Sequence, residues 1–182
     1  MIIFVSGGAR SGKSRFAEEL AVSIYRTQQE KTNKGRLYYI ATSKRSDTEM
    51  EERIKIHQNM RVKEWETHEE SYGFHSFLDS CKKTDVILVD CLTIWVSNVM
   101  FDLHYNSKQI EMIVNEWVKI AWDNDFHLIF VSNDVNEELP HSSQGVQQYM
   151  YMLQVVHKII VQQADKAIQV IAGLPTYWKG KV

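Results

Sequence analysis

The first residues whose spacing indicates chemistry lie between positions 7 and 14, where the chain reads GGARSGKS. This run fits the pattern G-x-x-x-x-G-K-[ST], in which backbone N–H groups surround phosphate and glycines leave room for its close approach. Lys13 is then expected to reach the β- and γ-phosphates of a nucleoside triphosphate, and Ser14 to bind Mg²⁺. The alternative is a glycine-rich turn without a ligand. The motif predicts nucleotide contacts from all eight residues: Gly7, Gly8, Ala9, Arg10, Ser11, Gly12, Lys13 and Ser14.

A carboxylate, Asp90, ends a second apolar run, VILV at positions 86–89. If this run is a strand that neighbours the first one, Asp90 lies at the carboxyl edge of the sheet, close to the glycine-rich loop. There it would hold Mg²⁺ directly or through water, as a second metal ligand beside Ser14. The alternative is that Asp90 caps the helix expected from Leu92 onward.

A histidine on an amphipathic helix is the third candidate for chemistry. The residues SDTE at positions 46–49 fit a capping box, and Ile54 and His57 then fall on one helical face. Arg53 lies one turn before His57, and Arg61 follows it. A neutral imidazole can attack phosphorus, and two arginines nearby would hold negative charge. Helix physics alone favours a plainer interpretation, a surface helix on which His57 is an ordinary, partly buried residue.

Three stretches in this order resemble the bifunctional adenosylcobinamide kinase / adenosylcobinamide-phosphate guanylyltransferase family. They are FVSGGARSGKSR, then YIATS followed by DTEMEERIKIH, and then ILVDCLTIWVSN. The middle stretch is the specific one, because R-I-x-x-H carries the histidine that takes GMP from GTP in that family. The resemblance implies that His57 is the catalytic nucleophile and that Lys13 acts in the phosphate loop. It also implies nucleotide contacts from Ala41, Thr42, Ser43, Arg53, Arg61, Glu69 and Asp90.

The resemblance implies two reactions in the assembly of the nucleotide loop of adenosylcobalamin. GTP and ATP would be substrates, Mg²⁺ the cofactor, adenosylcobinamide and its phosphate the acceptors, and a homotrimer the assembly. The match is closest over about residues 1–100; the family pattern S-N-E-V-G-x-G reads SNDVNEE at positions 132–138. Two further functions stay open at this point: a small-molecule kinase without guanylyl transfer, and a GTP-binding regulatory protein without chemistry of its own.

Apolar runs and helical spacing predict the elements that must position these residues. Continuous apolar runs predict buried parallel strands over residues 2–6, 37–42, 86–91, 127–132 and 167–172. Helical periodicity predicts helices over 13–26, 107–124 and 145–164, and the polar residues 27–36 are expected to form an exposed loop. This alternation predicts an α/β fold with a mostly parallel sheet flanked by helices, in a single P-loop nucleotide-binding domain spanning residues 1–182.

Composition excludes several other classes of protein. The chain has 182 residues and a net charge of −2, which is not the charge of a nucleic-acid binder. No stretch approaches the ~18 consecutive apolar residues of a membrane span, and the apolar start is too short for a signal peptide. The two cysteines have no metal-ligand spacing and indicate no disulfide framework. The expected compartment is therefore the cytoplasm.

Overall fold

A computed structural model of the chain describes residues 1–44, 64–135 and 143–181. Within these ranges seven strands form one sheet in the order β3-β2-β4-β5-β1-β6-β7. Six strands run parallel and β7 pairs antiparallel with β6. The strands are β1 (Ile2–Gly7), β2 (Leu37–Ala41), β3 (Trp65–Glu69), β4 (Val86–Asp90), β5 (His127–Asn133), β6 (Lys166–Ile171) and β7 (Leu174–Lys179).

Helices cover both faces of this sheet and bury it. One hydrophobic cluster joins alternate strand residues to α1 (Lys13–Thr32). The other cluster joins the opposite strand faces to α2 (His75–Ser80), α3 (Leu92–Phe101), α4 (Ser107–Asp123) and α5 (Gln144–Gln163). Because central strands such as β4 are covered on both sides, their sequences are continuously apolar instead of alternating. The predicted α/β class with a mostly parallel, helix-flanked sheet is confirmed.

The strand predictions succeed in the centre of the sheet and fail at its edges. All five predicted strands are present, with ends shifted by at most one residue. The sequence analysis missed β3 and β7, which are the two edge strands, and the short helix α2. β3 reads WETHE and β7 reads LPTYWK, and most of their side chains are exposed, so neither gives a long apolar run. Pro175 is tolerated in β7 because an edge strand needs fewer ladder N–H groups.

The first helix is longer than predicted. The polar loop expected over residues 27–36 is wrong for its first part, because α1 continues to Thr32. Gln, Glu and Lys are good helix formers, and side-chain contacts hold this part of the helix. Gln28 Nε2 lies 3.0 Å from His127 Nε2, and Gln29 Nε2 donates to the Gly35 carbonyl oxygen at 3.0 Å. The helix ends at Asn33, whose φ of 51° is left-handed.

The order of the strands corrects one expectation about the site. β4 does not neighbour β1, because β5 lies between them. Gly7 pairs with Asn133 of β5, and Asp90 pairs with Val131 of the same strand. Asp90 still ends its strand at the expected carboxyl edge, two interstrand spacings or about 10 Å from β1. The helix predicted from residue 46 lies outside the described residues, and no helix in the described ranges is long and apolar enough to cross a bilayer.

Candidate nucleotide site at the carboxyl edge of the sheet

The glycine-rich loop connects β1 to α1 through a path that favours glycine at two positions. A Cβ atom at Gly7 would lie 2.5 Å from both Ser11 Oγ and the Val170 carbonyl oxygen. Gly12, the N-cap of α1, has φ of 88° in the left-handed region that favours glycine. Glycine at position 7 therefore allows Ser11 and Val170 to lie close to the backbone, and glycine at position 12 allows an unusual backbone conformation.

Hydrogen bonds close this loop from two sides. The Ser11 N–H donates to the Gly8 carbonyl oxygen at 3.2 Å, and the Gly173 N–H in the turn between β6 and β7 donates to the Ser11 carbonyl oxygen at 2.8 Å. Ser11 Oγ is buried and has no hydrogen-bond partner among the described residues. Buried hydroxyls normally have a partner, and an anion held in the loop is a candidate acceptor for this one.

The electrostatics of the loop favour an anion. Lys13 is 8% exposed, and its Nζ donates to the Gly8 carbonyl oxygen at 3.1 Å, so its ammonium group lies against the loop itself. The N-terminus of α1 has no side-chain cap and no acidic residue in its first turn. Its free N–H groups and the positive end of the helix dipole therefore point to the same region as the lysine charge, which is the arrangement that binds phosphate.

Asp90 lies at the same edge of the sheet and does not cap the following helix. The N-cap of α3 is Cys91, one residue later. One carboxylate oxygen, Asp90 Oδ2, accepts a hydrogen bond from the Tyr39 hydroxyl at 2.8 Å. Burial raises the pKa of the Cys91 thiol to about 11, so the neighbouring side chain is a neutral thiol. These contacts weigh against the capping alternative and leave Asp90 as the acidic group of β4 at this edge.

The residues present fit a magnesium ion. Ser14 in the first turn of α1 and Asp90 supply a hydroxyl and a carboxylate, which are the hard oxygen ligands that Mg²⁺ takes. Among the described residues no three His, Cys, Asp or Glu side chains cluster as a metal cage. Mg²⁺ suits such a sparse site, because it keeps several waters and commonly shares one or two protein ligands with substrate phosphates.

The predicted contacts at Ala41, Thr42 and Ser43 follow β2 beside this edge. Ala41 pairs with Asp90 in the sheet. Thr42 is fully buried; its Oγ1 donates to the Cys91 carbonyl oxygen and accepts from the Cys91 N–H, both at 2.8 Å. This hydroxyl therefore joins the segments that follow β2 and β4 and holds them together at the carboxyl edge of the sheet. A direct nucleotide contact from these three residues stays a prediction.

Of the remaining predicted residues, the structure describes only Glu69. Glu69 ends the edge strand β3, four interstrand spacings or about 19 Å from β1, so the structure does not bring it to the phosphate loop. Arg53, His57 and Arg61 fall outside the described residues. Their roles stay predictions.

Sequence reasoning missed a second carboxylate beside the loop, Asp134, which directly follows β5. Its backbone N–H donates to the Gly7 carbonyl oxygen at 3.1 Å. Its Oδ2 accepts from Gln169 Nε2 at 3.0 Å and from Ser6 Oγ at 3.3 Å. A signal was present, because Asp134 follows an apolar run as Asp90 does, but the order of the strands is needed to place it beside the loop.

A chain of polar side chains at the end of β5, of which Ser132 and Thr93 are buried, was also missed. His157 Nε2 lies 2.7 Å from Ser132 Oγ, which lies 3.2 Å from Thr93 Oγ1. Thr93 Oγ1 accepts from the Asn133 N–H at 2.8 Å. Burial lowers the pKa of His157 to about 4, so this imidazole is neutral near pH 7. The chain links α5, β5 and α3 and fixes the strand end that separates the loop from Asp90; no local pattern in the sequence indicates it.

Comparisons with known proteins concern the family and the fold of this chain. The model of one protein family, described as cobinamide kinase / cobinamide phosphate guanyltransferase, matches residues 3–177. A solved structure from Pyrococcus horikoshii OT3 covers 100% of this chain and 87% of its own, with a TM-score of 0.52 and 9% identity. At that identity the likeness concerns the fold alone.

Curated relatives match over long stretches. The bifunctional adenosylcobalamin biosynthesis protein CobP of Pseudomonas aeruginosa is 29% identical over 178 residues, which are 97% of this chain and 96% of the relative. The protein CobU of Salmonella typhimurium, of the same description, is 26% identical over 186 residues, 96% of this chain and 97% of its own length. CobU of Escherichia coli is 37% identical over 103 residues, 56% of this chain and 51% of the relative.

The family model spans nearly the whole chain, and its region includes the phosphate loop, Asp90 and Asp134. The fold is of the P-loop NTPase type, with the loop between the central strand β1 and α1. The chain belongs to the cobinamide kinase / cobinamide phosphate guanyltransferase family, and it is a transferase.

Proposed function

We propose that this chain carries out both reactions of its family, making adenosylcobinamide-GDP from adenosylcobinamide in the assembly of the nucleotide loop of adenosylcobalamin. The single observation that carries the proposal is the closed phosphate loop: a buried Lys13 and an uncapped helix N-terminus converge there, with Asp90 at the same sheet edge. Curated relatives over nearly the full chain are bifunctional adenosylcobalamin biosynthesis proteins. Adenosylcobinamide and its phosphate are the acceptors, and GTP and ATP are the nucleotides.

In the kinase reaction the hydroxyl of the aminopropanol arm attacks the γ-phosphate of a nucleoside triphosphate. Loop N–H groups and Lys13 offset the charge that develops on the transferring phosphoryl group and hold it in line with the acceptor. Ser14 and Asp90 would hold Mg²⁺, which neutralises phosphate charge when it is bound. Tyr39 orients the Asp90 carboxylate through its 2.8 Å hydrogen bond.

In the guanylyl transfer His57 attacks the α-phosphate of GTP, and pyrophosphate leaves. The resulting histidine–GMP phosphoramidate is attacked by adenosylcobinamide phosphate. A neutral imidazole suits this role because it has a lone pair near pH 7 and becomes a good leaving group. Arg53 and Arg61 would stabilise the phosphate charge. This part of the proposal depends on the motif R-I-x-x-H at positions 53–57.

Labelled nucleotides separate the two reactions. With GTP labelled at the α-phosphate, the wild-type protein is expected to carry an acid-labile label, and His57→Ala to carry none. Phosphoryl transfer from the γ-position to adenosylcobinamide should persist in His57→Ala within roughly tenfold, or about 1.4 kcal/mol in barrier. His75→Ala is the matched control, because His75 is exposed on α2 at the far side of the sheet from α1.

The possible outcomes distinguish a protein that performs both reactions from one that performs only the kinase reaction or neither. An acid-labile GMP adduct that survives in His57→Ala would place the nucleophile elsewhere. Phosphoryl transfer by a wild-type protein that never takes up label would leave the kinase reaction alone, which is the second function that the sequence allows. A wild-type protein that performs neither transfer would refute the proposal.

We further propose that residues 1–182 act as one nucleotide-binding domain in a cytoplasmic homotrimer. Large exposed apolar side chains support self-association: Ile171, Leu174 and Trp178 on the β6–β7 hairpin are 59%, 73% and 72% exposed. The molar mass in solution, measured by light scattering on the eluting protein, should be three times the 21.3 kDa of the chain. A mass of one chain at working concentration would refute the assembly.

A further inference from the structure

The kinase reaction removes a proton from an alcohol, and the described residues offer few groups that could accept it. Cys91 is buried, and burial raises the pKa of its thiol to about 11. His157 is hydrogen-bonded to Ser132 at 2.7 Å on the helix α5 side of β5. Asp90 accepts a hydrogen bond from the Tyr39 hydroxyl and is the predicted magnesium ligand. Among the described carboxylates this leaves Asp134 beside the phosphate loop.

Asp134 is fixed to the loop by its backbone. It follows β5, which separates β1 from β4, so it lies between the loop and the strand of Asp90. Its N–H donates to the carbonyl oxygen of Gly7, the first residue of the phosphate loop, at 3.1 Å. A movement of this backbone would break its hydrogen bond to the loop. The hydrogen bond therefore constrains the position of the Asp134 side chain relative to a phosphate bound in the loop.

The carboxylate itself is oriented but not neutralised. Both donors to this carboxylate within residues 1–44, 64–135 and 143–181, Gln169 Nε2 at 3.0 Å and Ser6 Oγ at 3.3 Å, reach the same oxygen, Oδ2. Gln169 is held in turn, because its Oε1 accepts from Trp178 Nε1 at 3.2 Å. Among the described residues Oδ1 accepts no hydrogen bond, and no lysine or arginine pairs with the group. One oxygen is thus anchored and the other is available to an acceptor hydroxyl.

We propose that Asp134 is the general base of the kinase reaction. The inference rests on the proposed function. Asp134 takes the proton of the acceptor hydroxyl while that oxygen forms its bond to the γ-phosphorus. The bond between the γ-phosphorus and the β–γ bridging oxygen breaks, and its electron pair leaves with the nucleoside diphosphate. The carboxylic acid then returns its proton to water. Neutral donors on Oδ2 suit this role, because they hold the carboxylate without cancelling its charge.

The test compares Asp134→Asn and Asp134→Glu with the wild type in phosphoryl transfer from γ-labelled triphosphate to adenosylcobinamide. Asparagine keeps an oxygen that can accept from Ser6 and Gln169 but cannot take a proton. The kcat is expected to fall about 10²-fold in Asp134→Asn, while the KM for the triphosphate and the Kd of a fluorescent triphosphate analogue stay within about threefold. Glutamate should recover at least about tenfold over asparagine, because the carboxylate is restored.

Asp125→Asn is the matched control. Asp125 lies before β5 as Asp134 lies after it, is exposed at the opposite edge of the sheet, and pairs with Lys83 at 2.7 Å. Its substitution should leave kcat unchanged. Uptake of α-label from GTP should also be unchanged in Asp134→Asn, because that step has no acceptor hydroxyl to deprotonate.

Three results would overturn the assignment of Asp134 while leaving the proposed function intact. These are an unchanged kcat in Asp134→Asn, an equal loss in triphosphate affinity, or a glutamate variant no better than the asparagine variant. The second result would mean that Asp134 shapes the loop instead of accepting a proton. A wild-type protein without phosphoryl transfer would refute the kinase reaction and the base together, which distinguishes the two failures.

Discussion

Acidification should destabilise this protein through one half-buried imidazole, that of His157. His157 packs edge-on against the Phe4 ring at 4.9 Å between centroids, and its Nε2 lies 2.7 Å from Ser132 Oγ. Burial lowers its pKa from 6.5 to about 4, while the nearby Asp134 charge acts in the opposite direction. Between these two values the unfolded chain binds a proton that the native protein does not, so the free energy of unfolding falls as the pH falls.

The magnitude follows from the two pKa values. With about 4 in the native state and 6.5 in the unfolded state, the His157 contribution to the free energy of unfolding is near zero at pH 7.5. At pH 5 the same pair of values gives a loss of about 2 kcal/mol. Below the native pKa the loss reaches its limit of about 3 kcal/mol, because both states are then protonated.

Urea unfolding of the wild type and of His157→Gln at pH 7.5 and pH 5 measures this loss. Glutamine can still hydrogen-bond to Ser132 but does not titrate, and both proteins share His127, a half-buried histidine whose pKa burial also lowers. The difference in unfolding free energy between the two proteins should shift by about 2 kcal/mol in favour of the variant at pH 5. Parallel pH dependences for the two proteins would refute the reasoning.

Three other predictions concern the candidate site. Lys13→Ala should lower phosphoryl transfer about 10²–10³-fold with an unchanged circular dichroism spectrum, whereas the exposed Arg15→Ala should leave the rate unchanged; equal rates for the two variants would contradict the loop assignment. Asp90→Asn should raise the Mg²⁺ concentration for half-maximal rate at least about tenfold, because an amide oxygen is a poorer ligand; an unaltered Mg²⁺ titration would exclude the metal role. Thr42→Val should cost about 1–3 kcal/mol in urea unfolding, because it leaves the buried Cys91 N–H unpaired and removes one of the two hydrogen bonds that the Cys91 carbonyl oxygen accepts; an unshifted midpoint would show that water or a rearrangement satisfies the N–H.

The sequence predicts those parts of this fold that are decided locally. The phosphate loop is eight consecutive residues whose glycine positions follow from local backbone geometry, and the central strands are apolar because two helical layers cover them. The edge strands β3 and β7 show no such apolar run. Each pairs with one strand only and has most of its side chains exposed to solvent, so polar residues are tolerated there. The continuation of α1 past residue 26 is held by the contact of Gln28 with the distant His127 and by that of Gln29 with Gly35, just beyond the end of the helix.

The missed part of the site depends on the order of the strands. Asp134 and Asp90 each follow an apolar run, but periodicity alone does not say which strand lies beside β1. The insertion of β5 between β1 and β4 decides that Asp134 touches the loop and that Asp90 stands one strand further away. The polar chain from His157 to Asn133 joins three elements up to 64 positions apart in sequence, between Thr93 and His157, and no window of residues contains it.

The position of β5 also gives a physical reason for the polar chain beneath it. The strand end at Asn133 and Asp134 lies between the loop proposed to bind phosphate and the carboxylate Asp90, so a shift there would alter both at once. A purely apolar core would leave the Asn133 N–H and the Ser132 hydroxyl without partners at that depth. His157, held neutral by burial, satisfies Ser132 without placing a positive charge beside Asp134. A cation at that position would attract the carboxylate and lower its ability to accept a proton, so the low pKa that burial gives His157, against the opposing charge of Asp134, favours the proposed role of Asp134.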